Sequence, residues 1–146
     1  MNPSFPRGEN GTNTCQVTVD KDSQVCQLRL DLEEFELSQP DENGRCTTDS
    51  FMVRTTVGER LPMLCGNNKG QHLYVDMGRG SGNPVVLSVV TNGNDIARKW
   101  KIKISMIPCT NLLMAPSGCL QYYRSPSDVV KSFNYGPAID GRARYE

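Results

Sequence analysis

The chain has little of what a catalyst, a membrane protein or a nucleic-acid binder needs. It carries one histidine and one tryptophan in 146 residues. Any catalytic triad would have to use His72, yet no Gly-x-Ser-x-Gly phrase supplies a nucleophile, so His72 is read as an ordinary sheet-surface residue. The longest apolar run, near Val85 to Val90, falls far short of the roughly 18 residues that a membrane span requires. No apolar segment follows Met1 that could act as a signal peptide. Net charge is absent too. With 16 Lys plus Arg against 16 Asp plus Glu, no global field draws the protein to nucleic acid or to an anionic membrane. No window has helical amphipathic periodicity, which leaves strands as the structural unit.

The chain does have six cysteines, an even number that suits three disulfides and an oxidising compartment, and hence a secreted protein. Zinc is the competing reading, but no Cys-x-x-Cys pair occurs and a single histidine cannot complete the usual ligand sets. The Cys46 to Gly66 stretch closes one strand-sized segment and a long turn between Cys46 and Cys65. Cys15 and Cys26 have a spacing that fits a bond between two arms of a hairpin or between neighbouring strands. Asn10-Gly11-Thr12 is a glycosylation sequon, which agrees with export. Export-type cysteines without a leader give the expectation of a fragment from a longer precursor.

Alternation places the strands. After a turn-rich lead-in anchored by Phe5, Cys15, Val17 and Val19 alternate with polar residues. Cys26, Leu28, Leu30 and Leu32 then share one face before the phase slips across Glu33-Glu34 to Phe35 and Leu37, as a β-bulge would produce. Phe51, Val53 and Thr55 form a further strand, as do Leu73, Val75 and Met77. The segment PVVLSVV is apolar on both faces, as expected of a central strand. Ile96, Trp100, Ile102, Ile104 and Met106 oppose Lys99, Lys101 and Lys103, so Trp100 belongs to the core and the lysines to an exposed or edge strand. The texture changes after Cys109, which places a domain boundary near that residue. Short strands punctuated by 13 Gly and 9 Pro predict an antiparallel β-sandwich.

CQLRLDLEEFEL, Cys46-Thr47-Thr48-Asp49, Leu64-Cys65-Gly66, PVVLSVVTN and WKIKI together resemble the CUB domain, in the variety found in secreted arthropod proteins. Cys26, Phe35, Cys46, Asp49, Cys65 and Gly66 fill the family's places, and the resemblance covers about residues 2 to 108. It implies a jelly-roll-like sandwich over residues 1–109. Residues 110–146 then form a linker and the start of a second, truncated CUB-like module, because Ser132 to Tyr135 repeats the family's opening phrase. On that resemblance Cys119 belongs to the linker or the next module, and Cys109–Cys119 is the bond left within the chain. Two family positions differ, with Leu28 for a tryptophan and Thr48 for a tyrosine.

The resemblance also implies a calcium site. Asp49 matches a ligand, Asp41 or Glu42 lies where a loop glutamate is expected, and the late-loop aspartate falls on Asn92, with Asp95 nearby. A neutral amide lowers the ligand charge, and the competing reading has these acids solvating turns. The implied function is non-catalytic: an extracellular module whose loops at Asp41 to Asp49 and Asn92 to Asp95 meet a protein partner. The alternatives are a substrate-positioning module of an extracellular serine protease and a carbohydrate-binding adhesin, for which a glycan is the partner.

Overall fold

The structure, a computed structural model, describes residues 1–57, 61–93 and 96–135. Its strands are β1 (Asn13–Val19), β2 (Val25–Glu36), β3 (Ser50–Arg54), β4 (His72–Asp76), β5 (Val85–Thr91) and β6 (Lys99–Pro108). They form two antiparallel sheets of three strands, ordered β1-β5-β3 and β4-β2-β6. The predicted sandwich is therefore the fold. β5 is central, as its apolar composition on both faces predicts, and β6 lies at an edge.

Alternation along β2 explains how the sheets meet. Leu28, Leu30 and Leu32 are fully buried and sit across from Val75 and Leu73 of β4 and from Ile104 and Ile102 of β6. The register of β2 against β6 slips between Leu32 and Glu34, where the sequence loses phase, and this turns Phe35 inward opposite Trp100. Phe35 then meets Phe51 of the other sheet edge to face, with ring centroids 5.7 Å apart. Such a pair adds about 0.5–1.5 kcal/mol beyond the area it buries. Trp100 is in the core, whereas Met106, on the same alternation of the edge strand β6, is 49% exposed. The lead-in is held by Asn2, which is buried and whose amide N–H reaches the Trp100 carbonyl at 3.0 Å, while Phe5 is only half-buried.

The disulfides correct part of the sequence reading. Cys46 and Cys65 are bonded, as expected. Cys26 is bonded to Cys109, so neither Cys15–Cys26 nor Cys109–Cys119 forms. The reason is topological. β1 pairs with β5 in one sheet, while β2 lies between β4 and β6 in the other, and the pairing of Val25 with Pro108 sets Cys26 beside Cys109 at a Cα separation of 4.8 Å. Cys15 sits across from Val89, and Cys119 is half-buried against Tyr74, Ile107 and Ala115; neither carries a disulfide.

Residues 110–135 contain no strand, yet Ala115 and Asn134 within them are buried. They run as a strap over the outer face of the β4-β2-β6 sheet, where the buried Gln27 side chain accepts the Ala115 N–H at 2.8 Å and donates to the Ala115 carbonyl at 3.2 Å. Further along, the Tyr74 N–H donates to the Leu120 carbonyl at 2.8 Å. At its far end Asn134 is locked to the other loops: its N–H donates to Asn68 Oδ1 at 2.7 Å, and its Oδ1 accepts the Asn67 N–H at 2.9 Å. Gly66 makes this fit possible, because a Cβ there would lie 2.2 Å from Asn134 Oδ1 and its φ of +76° favours glycine.

Candidate functional site

The sequence points to the loops at Asp41 to Asp49 and Asn92 to Asp95. Asp49 stands just before β3 and is buried together with Arg98, which precedes β6. Arg98 donates from Nε to Asp49 Oδ2 at 2.8 Å and from Nη2 to Oδ1 at 3.1 Å. The same carboxylate accepts the Ser38 N–H at 2.8 Å and the Asn92 N–H at 3.0 Å. The remaining guanidinium donors reach the Asn92, Gly93 and Ile96 carbonyls. Burial alone would raise the Asp49 pKa, but Arg98 and the Ser38 and Asn92 amides outweigh it and hold the carboxyl below its ordinary value.

The calcium candidates divide accordingly. Asp49 is committed to Arg98. Asp41 Oδ1 caps its own turn by accepting the Asn43 and Arg45 N–H groups at 2.9 and 2.8 Å, and with Glu42 it borders a shallow depression lined also by Gln39, Thr47 and Thr48. Asn92 is joined to Asp49 through its backbone, while its side chain accepts the Thr12 hydroxyl at 3.0 Å. Asp95 lies outside the described residues. Among the described residues no three His, Cys, Asp or Glu side chains are grouped to hold a metal ion, and both carboxylate oxygens of Asp49 are taken by Arg98 and by backbone amides. Asn10 of the sequon is exposed.

Arg98 was legible in one respect. It shares the parity of Ile96 and Trp100, so the alternation aims it inward, where an arginine requires an acidic partner.

The larger cavity lies elsewhere, between the strap and the outer face of the β4-β2-β6 sheet, with a volume of about 850 Å³. Arg29, Lys69, Lys103, Arg124 and Lys131 bring cations to it, against Asp31 and Asp128. This cationic bias stands out in a chain with no net charge. Some of it is internally balanced: Arg29 pairs with Asp31 at 2.8 Å, and Lys69 with Glu34 at 2.8 Å. Lys99 and Lys101 on β6 are likewise held near Glu34 and Glu33, but Lys103 is exposed and has no ion-pair partner among the described residues.

His72 forms the heart of the wall and is buried, not on the surface as the sequence suggested, because the strap covers it. Its Nε2 accepts the Tyr122 N–H at 3.2 Å, and its ring meets Tyr74 and Tyr123 edge to face at 5.6 and 4.9 Å. Burial and the nearby Arg29 charge lower its pKa, which keeps Nε2 available as an acceptor. The Arg29 guanidinium lies over the Tyr74 ring at 5.4 Å and donates to its hydroxyl at 2.9 Å. The histidine is thus a fastener between strap and sheet.

A family model described as Animal CUB domain matches residues 116–145. The match falls on the strap and the residues after it, and does not extend over residues 2 to 108. No curated protein matches the chain. In the described residues no helix is long and apolar enough to cross a membrane.

Proposed function

We propose that the chain is a non-catalytic extracellular module that binds protein partners as one unit of a larger secreted or cell-surface protein. The observation that carries this reading is the groove between strap and sheet, which joins Lys103, without an ion-pair partner among the described residues, to exposed apolar side chains on a disulfide-braced sandwich. A rigid scaffold lowers the ordering cost of binding. His72, the single histidine, is engaged by Tyr122 and by aromatic edges, which argues against a hydrolytic role. The disulfides and the partial match to an animal CUB domain support an extracellular setting. We take residues 1–109 as the first module and residues 110–146 as a linker and the opening of a second, and the match at 116–145 favours the latter assignment.

The test is binding of the full chain to an array of secreted and cell-surface ectodomains. Saturable binding to at least one protein is expected. A folded chain that binds no ectodomain, or that hydrolyses a peptide or glycosidic substrate, would overturn the reading.

A further inference from the structure

We propose that the groove between the strap and the β4-β2-β6 sheet docks an extended acidic peptide segment bearing apolar side chains, an inference that deepens the interaction-module reading and rests on it. Charge complementarity supplies the first half of the argument. Lys103 on the sheet side is exposed and without an ion-pair partner among the described residues. On the strap side, Lys131 is exposed with its ammonium over the Tyr135 ring, and Arg124 is held by the Leu112 carbonyl, which leaves further N–H donors on its guanidinium. Cations on two sides of a cleft with low-dielectric walls favour an anionic ligand.

The apolar rim supplies the second half. Met106, Leu113 and Val129 line the groove and are 49%, 57% and 67% exposed, and the adjoining Leu112 and Val130 are more exposed still. Clustered exposed hydrophobics mark an interaction surface, where scattered ones would not. A sulfated glycan would satisfy the lysines but leave this rim in water. Tyr74 is not open to stack on a sugar, since it is buried, lies under Arg29 and is flanked by His72 and Tyr122. A peptide with carboxylates and aliphatic or aromatic side chains uses both halves. The volume of about 850 Å³ suits several side chains, not a whole domain.

A random peptide library displayed on phage and panned on the full chain tests this. Enriched peptides are expected to combine Asp or Glu with Leu, Ile, Met or Phe. Their binding should weaken tenfold or more in the double variant K103E/K131E and several-fold in Val129→Ser, with melting temperature unchanged because all three positions are exposed. Failure to enrich peptides, enrichment of basic or neutral polar peptides, or binding that survives both variants would overturn the inference. Binding of heparin oligosaccharides that K103E/K131E abolishes, with no peptide enriched, would assign the groove to a glycan and also overturn it. An ectodomain partner whose affinity is untouched by K103E/K131E removes the groove while leaving the interaction module standing; the lack of any ectodomain partner removes the module itself.

Discussion

Arg98 and Asp49 form an ion pair whose two side chains are wholly buried, with Nε 2.8 Å from Oδ2. The pair ties together the loops before β3, after β5 and before β6, since Ser38, Asn92, Gly93 and Ile96 all hydrogen-bond to it. Removing one partner leaves the other charge desolvated. Asp49→Asn or Arg98→Met should therefore cost about 3–5 kcal/mol in chemical denaturation, and the double variant should cost less than the two single losses added. The folded carboxyl lies below its ordinary value. Its contribution is therefore present above the unfolded pKa of about 3.9 and is lost as pH falls through the folded value. Asp49→Asn should flatten that acid limb of the stability curve.

Because the guanidinium already neutralises Asp49, its carboxylate is expected to add little to calcium binding. Melting temperature should be the same in millimolar calcium and in EDTA. A calcium-dependent rise that Asp41→Asn or Glu42→Gln abolishes would show instead that the loop end gathers a cation without Asp49.

Peptide mapping under non-reducing conditions should recover Cys26 with Cys109 and Cys46 with Cys65, and should find thiols at Cys15 and Cys119. The two bonds close loops of different length, with sequence separations of 83 and 19. On the chain-entropy account, Cys26→Ser with Cys109→Ser should cost about 4–5 kcal/mol, and Cys46→Ser with Cys65→Ser about 3 kcal/mol.

The strap has its own test at Gly66. Gly66→Ala places a Cβ against Asn134 Oδ1 and forces an alanine into a positive φ. Faster hydrogen exchange at Asn134 and Asn67, with the β2–β6 ladder still protected, is the expected result, at a cost of about 1 kcal/mol or more. Loss of protection throughout the sandwich would show that the strap is integral to global stability.

Acid should loosen the same strap at His72. The imidazole faces Arg29 and Asp31 of β2, Tyr74 of β4, and Tyr122, Tyr123 and Asp128 of the strap, and its folded pKa is lowered, first by burial. A lowered histidine pKa favours the neutral folded form, so this contribution is intact above the unfolded value of about 6.5 and is lost as pH falls below it. The protection factor at Tyr122, its exchange referred to the intrinsic rate at each pH, should fall below that pH, and in His72→Gln this fall should disappear.

Period-two alternation made most of the strands legible, and even the bulge at Glu33-Glu34, because a half-buried strand must alternate. It could not assign strands to sheets: alternation fixes which face a residue occupies and says nothing about its neighbour, so the spacing of Cys15 and Cys26 suggests a bond that does not form. Arg98 could be seen to point inward, but its partner lies 49 residues away in Asp49. The strap was illegible for a different reason. Its own backbone is irregular and follows no period, so the alternation that places Gln27 and His72 on the outer face of their strands does not reveal what covers them. The groove, formed only when strap and sheet meet, was hidden with it.

The Cys26–Cys109 bond has a mechanical consequence. It joins the start of β2 to the end of β6, so tension applied between β1 and the strap passes through a covalent link and bypasses everything between those cysteines. With a separation of 83 residues, and roughly 3.3–3.6 Å of reach per extended residue, about 270–300 Å of contour is withheld from stretching while the bond is intact. Under load the oxidised module withholds that length, and reduction releases it.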